Sequence, residues 1–182
     1  MIYIHWNRPL ENDNYLINHI ANSSPLIDLH LNIHHHLTST YTTMHVILTG
    51  ATGLVGSGVL DAMLKTKDIT KISILSRRPV PMATDSKDPR VDVIIHNDLA
   101  TYRPGGLREL AGARGCVWAL GISQNKVTKE DYVRITKDDT LEAAKAFSTL
   151  AGEGEEPFRF IYVSGEGATQ SPGRFSPIFA RV

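Results

Sequence analysis

Cysteine is nearly absent: Cys116 is the one thiol in 182 residues. No internal disulfide framework is possible, and the composition fits a reducing, cytoplasmic setting. Cys116 falls within a predicted strand, where a buried structural thiol is expected rather than a reactive one. Excess charge of one sign is also missing, since 19 Lys and Arg balance 19 Asp and Glu. A zero net charge supplies neither a basic stripe for nucleic acid nor an attraction to an acidic membrane surface. No apolar run approaches the roughly 18 residues of a membrane-spanning helix. The first residues lack a basic segment followed by an apolar one, so no secretory signal is expected. The length that remains suits one sizeable core and is short for a second full domain.

Residues 1–43 are poor in charge, with Arg8 as the one basic side chain besides histidine and Glu11, Asp13 and Asp28 as the acids. They hold six of the eight histidines, and their apolar residues keep neither a helical nor a strand period for long. A poorly ordered extension is expected, with a transient helix near Tyr15–Ile20. Met44-His45, followed at once by a strand, reads as a natural chain start, so a mis-assigned upstream start is an alternative for 1–43. His30, His34, His35 and His36 invite a metal reading, but no cysteine or spaced carboxylate completes a tetrahedral set, and no metal is expected. A mitochondrial presequence would be rich in arginine, which this segment is not.

The densest signal is His45-Val46-Ile47-Leu48-Thr49-Gly50-Ala51-Thr52-Gly53-Leu54-Val55-Gly56. An apolar, β-branched run enters glycines spaced G-x-x-G-x-x-G, and an apolar helical stripe leaves them through Val59, Leu60, Met63 and Leu64. Strand, tight turn and helix N-terminus are what a dinucleotide pyrophosphate needs. Gly50 permits the turn, Gly53 lets backbone approach the phosphates, and Gly56 lets the helix pack on the strand. The helix presents its unpaired N–H groups and positive dipole end to the anion, with Thr52, Leu54 and Val55 beside it. A glycine-rich turn with no ligand would show the same bare pattern.

Lys71–Leu75 reads as the second strand, and Ser76-Arg77-Arg78 follows it. About 20 residues past the glycines, a carboxylate would accept from a ribose 2′-hydroxyl and favour NAD. Here a hydroxyl and two guanidinium groups stand instead. They suit a 2′-phosphate, and each charge-assisted contact is worth about 1.5–3 kcal/mol, enough to prefer NADP(H) over NAD. A solvated basic turn is the plainer alternative.

From Met44 onward strands and helices alternate. Strands are predicted at 45–49, 71–75, Val91–His96, Cys116–Leu120 and Phe158–Val163. Helices are predicted at 54–65, near Leu107–Ala111 and over Lys129–Leu150, with Pro79–Arg90 as a charged connection. The alternation implies an α/β, doubly wound parallel sheet of Rossmann type with right-handed crossovers and order 3-2-1-4-5. Ligands are expected at the carboxyl ends of the strands, where the order reverses between the first and fourth. Strand three ends in Asn97-Asp98-Leu99, where Asp98 either meets adenine or caps the next segment. Strand four ends in Ala119-Leu120-Gly121, small enough for close passage of the riboses. Strand five ends in Ser164-Gly165-Glu166-Gly167, where Ser164 either polarises a substrate carbonyl or closes a turn.

These strand ends, with Thr49–Gly56 and Tyr162-Val163-Ser164-Gly165, resemble the atypical short-chain dehydrogenase/reductase superfamily over residues 44–182. Within it the chain is similar to the Tat-interacting oxidoreductase-like and NAD-dependent epimerase/dehydratase-like group. The resemblance implies an NADP(H) cofactor, with NAD as an alternative, and hydride transfer to or from a carbonyl or alcohol. In that superfamily a Ser, a Tyr and a Lys in Tyr-x-x-x-Lys run the chemistry, the Lys lowering the phenol pKa. Ser164 matches the serine. Phe179 stands where relatives have the tyrosine, no tyrosine follows Tyr162, and the sequence stops at Val182 before the lysine position. A C-terminally truncated domain with doubtful turnover is therefore expected. A non-catalytic regulatory or scaffold protein that uses the nucleotide as sensor or structural element is the alternative. A nucleotide-sugar epimerase would need the same dyad and a further sugar domain.

Overall fold

The computed structural model describes residues 44–151 and 156–165, together with 169, 171, 173, 174, 176 and 178. The expectations for 1–43, for Glu166 and Gly167, and for Phe179 lie outside the described residues. Five strands form one sheet: β1 (Met44–Thr49), β2 (Ile69–Ser76), β3 (Val91–Ile95), β4 (Ala113–Trp118) and β5 (Arg159–Tyr162). Every pairing is parallel and the order is β3-β2-β1-β4-β5, as the alternating pattern predicts. The helices are α1 (Leu54–Lys65), α2 (Pro81–Ser86), α3 (Pro104–Glu109), α4 (Lys129–Val133) and α5 (Asp139–Ser148), with a π-helical turn at Arg134–Asp138.

Each strand alternates its side chains between two apolar layers. On one face Leu48, Ile72 and Ile74 pack with Leu60 and Met63 of α1 and Ala83 of α2. On the other, Ile47, Leu75, Cys116, Trp118 and Phe160 pack with Ala143 and Phe147 of α5. Trp118 and Phe147 are fully buried, and Phe147 meets Tyr102 edge-on at 5.0 Å between ring centroids. Burial of Cys116 pushes its thiol pKa well up, which keeps it an unreactive core residue as expected.

Three local features depart from the sequence reading. The Pro79–Arg90 connection contains α2, because Pro81 occupies the first helical turn, where its missing N–H costs nothing. The helix predicted over Lys129–Leu150 is divided by the π-helical turn, and the Thr140 hydroxyl donates back to the Thr136 carbonyl at 2.9 Å. β4 starts at Ala113 and ends at Trp118, earlier than predicted, so Ala119 and Leu120 leave the sheet rather than extend it.

The end of α1 and the start of β2 are tied by one side chain. The Arg90 guanidinium donates to the Leu64 carbonyl at 2.6 Å, the Thr66 carbonyl at 2.8 Å and the Ile69 carbonyl at 2.7 Å. Asp88 holds it in place through its carboxylate at 2.7 Å. The Leu64 carbonyl, in the last turn of α1, thereby gains a partner that the helix itself cannot supply.

Candidate functional site

The turn between β1 and α1 is built by glycine for two separate reasons. Gly50 has φ of +72°, and a Cβ there would lie 2.3 Å from the Ala119 carbonyl oxygen. Gly56 is buried, and a Cβ there would lie 2.1 Å from the Gly50 carbonyl oxygen. Both contacts are with backbone, so neither can be relieved by turning a side chain. Gly53 differs: its N–H donates to the Gly50 oxygen at 2.9 Å, and a Cβ would be only moderately tight at 3.3 Å. Fold packing therefore demands Gly50 and Gly56 but asks less of Gly53.

Gly53 is also the N-cap of α1 and offers no side-chain cap, and no acid stands in the first turn. The N–H groups of Leu54, Val55 and Gly56 have no intrahelical acceptor, as in any first turn. The helix is 12 residues long and directs the positive end of its dipole to this opening. Leu54 is 93% exposed and Val55 48% exposed, an apolar rim uncommon on a solvated helix start.

A cavity of about 380 Å³ opens beside this turn, lined by Gly50, Thr52, Leu75, Ser76, Arg77, Arg78, Leu99 and Leu120. All but Leu75 were singled out from the sequence; Leu75, the last apolar residue of the predicted second strand, was legible only as core. Ser76 is buried, and its hydroxyl accepts from the Arg78 N–H at 3.3 Å, which shapes the turn carrying the two arginines. Arg77 and Arg78 are exposed and make no ion pair among the described residues.

The other expected residues take different roles. Asp98 accepts from the Ala100 N–H at 3.0 Å, and hydrogen bonds from Thr101 and Ala100 hold its carboxyl below the usual carboxylate range. Its carboxylate thus serves as a turn cap, one of the two roles considered. Ala119 meets Gly50 through its carbonyl, Leu120 lines the cavity, and Gly121 is exposed with open space around it. Ser164 lies two residues beyond β5, does not line this cavity, and buries a hydroxyl oxygen with no hydrogen-bond partner among the described residues. Among the described residues no cluster of metal-ligating side chains occurs, and no helix is long and apolar enough to cross a membrane.

No family model matches the chain. A curated relative, Leucinostatins biosynthesis cluster protein T of Purpureocillium lilacinum, is 47% identical over 124 residues, or 68% of this chain and 44% of that protein. The chain therefore spans less than half of that relative's length. Solved structures that share the fold are Rossmann proteins of the short-chain dehydrogenase/reductase and epimerase type. A short-chain dehydrogenase/reductase from Burkholderia vietnamiensis superposes with a TM-score of 0.59 at 19% identity, over 76% of this chain and 72% of that one. Uronate dehydrogenase from Agrobacterium tumefaciens gives 0.56 at 17% identity, over 77% of this chain and 52% of that one.

Proposed function

We propose that this chain is an NADP(H)-binding protein of the short-chain dehydrogenase/reductase type, acting in the cytoplasm. The observation that carries the reading is one cavity bordered by both the turn preceding an uncapped α1 N-terminus and the Arg77–Arg78 strand end. The residues present suit the dinucleotide. The N–H groups of the first turn of α1 would hold the pyrophosphate. Arg77 and Arg78 would hold a 2′-phosphate, with Ser76 fixing their turn. Leu75, Leu99 and Leu120 offer apolar wall to an adenine ring. The moderate crowding at Gly53 supports a glycine retained for ligand approach.

When bound, the cofactor supplies hydride exchange with a carbonyl or alcohol carbon. Ser164 would then hydrogen-bond the substrate oxygen, which would give its orphaned hydroxyl a partner. Phe179 cannot replace a phenol as proton donor, because a phenyl ring has no exchangeable proton. The reading is therefore of nucleotide binding without efficient turnover, and that same residue favours a second reading: a regulatory or scaffold protein with the nucleotide as sensor or structural element.

Titrating the protein with NADPH and NADH while following tryptophan and nicotinamide fluorescence tests the proposal. Saturable binding with NADPH at least about tenfold tighter is expected from one extra charge-assisted contact. Equal affinities would remove the arginine argument, and no binding of either would remove the proposal.

A further inference from the structure

A second cavity, of about 410 Å³, lies past the end of β4 and is lined by Gln124, Asn125, Lys129, Tyr132, Ser176 and Ile178. We infer that it is a small-molecule site selective for an aliphatic carboxylate that also carries a hydrogen-bond donor. This goes beyond the nucleotide reading and stands whether or not the first cavity takes a dinucleotide.

The chemistry of the lining sets the ligand. Lys129 is the one formal charge among these six described side chains, and none of the six is a carboxylate. It makes no ion pair among the described residues, so its ammonium is available to an anion. Gln124 buries its amide oxygen with no hydrogen-bond partner among the described residues, leaving an acceptor that calls for an O–H or N–H from the occupant. Tyr132 is buried and Ile178 is half-buried, so ring and alkyl surface complete the walls. Lys129 and Tyr132 are three residues apart on α4 and therefore share a helix face. Their position is set by Thr128, whose hydroxyl oxygen caps α4 by accepting from the Asp131 N–H at 3.1 Å.

The two cavities are close along the chain. Leu120 lines the first and Gln124 the second, and four residues of extended backbone span at most about 14 Å. A lone lysine beside amide groups suits a monoanion, whereas a phosphate dianion would be better met by the paired arginines of the first cavity.

The test uses isothermal titration of the whole protein with 2-hydroxy-4-methylpentanoate, its methyl ester and inorganic phosphate, each with and without NADPH. The acid should bind saturably, and the ester about tenfold or more weaker for loss of one charge-assisted contact. Lys129→Met should weaken the acid by a similar factor, and Gln124→Leu should weaken it less. Lys67→Ser should leave it unchanged, since Lys67 is exposed and lines neither cavity. Equal binding of acid and ester, no effect of Lys129→Met, phosphate as tight as the acid, or no saturable binding at millimolar acid would each overturn the assignment. A failure of the nucleotide reading would appear separately, in the NADPH titration alone.

Discussion

Gly56 and Gly50 are locked together: a Cβ on the first would stand 2.1 Å from the carbonyl oxygen of the second. Gly56→Ala must separate α1 from the turn that feeds it. Gly50→Ala adds a Cβ at φ of +72° and 2.3 Å from the Ala119 oxygen. Each substitution should cost about 3 kcal/mol or more. Gly58→Ala is the control, because its Cβ would meet nothing within 4 Å in the same helix. It should stabilise by about 0.5–1 kcal/mol, the usual helical gain of alanine over glycine. Urea denaturation of the three variants checks both signs.

Arg77 and Arg78 should discriminate between cofactors rather than stabilise the fold. Both are exposed and neither is ion-paired among the described residues, so their replacement leaves nothing buried without a partner. Arg77→Ala with Arg78→Ala should weaken NADPH by about tenfold or more while changing NADH little. The two dissociation constants, read by fluorescence titration, give the answer directly.

Arg90 should matter for stability although it lines neither cavity. It satisfies the carbonyls of Leu64, Thr66 and Ile69 at once and is itself anchored by Asp88. Arg90→Ala should lower the melting temperature. Arg90→Lys should recover little of the loss, since a single ammonium cannot reproduce the planar fork. Thermal melts followed by far-UV circular dichroism check the ranking.

His45 gives the fold a pH dependence whose sign follows from its surroundings. Burial, reinforced by Lys71, pushes its pKa below the ordinary 6.5, and the Ala111 backbone and Asp92 oppose this only in part. Its ring nitrogen shares a hydrogen bond of 2.8 Å with the buried Ser73 hydroxyl. Below pH 6.5 the unfolded chain takes up a proton that the folded chain resists, so stability is full above that value and falls as pH drops towards the folded pKa. Melting temperatures between pH 7.5 and 5.5 should decline in the wild type and decline less in His45→Gln.

The sheet order and the first cavity were legible because their signals are local and periodic. Val46–Thr49, the glycines and Ser76-Arg77-Arg78 each mark a strand, a turn or a strand end within a few residues, and parallel topology then brings Gly50 and Ser76-Arg77-Arg78 to one cavity. Asp98 could be read only as one of two roles, because capping and adenine contact ask for the same carboxylate at the same strand end. α2 was hidden by Pro81, which reads as a breaker unless it falls in a helix's first turn. The π-helical turn was hidden because Ile135 sustains an apolar helical pattern across it. The second cavity joins Gln124 to Ser176, residues too far apart in sequence for any spacing rule to pair. One local sign of it existed: Lys129 and Tyr132 lie three apart on a predicted helix.

The account is tested most directly by a crystal of the protein grown with NADP⁺. It predicts density for the pyrophosphate over the N-terminus of α1 at Gly53–Gly56, with the 2′-phosphate within hydrogen-bond reach of Arg77 or Arg78. A dinucleotide bound elsewhere, or an empty cavity at saturating concentration, would contradict it.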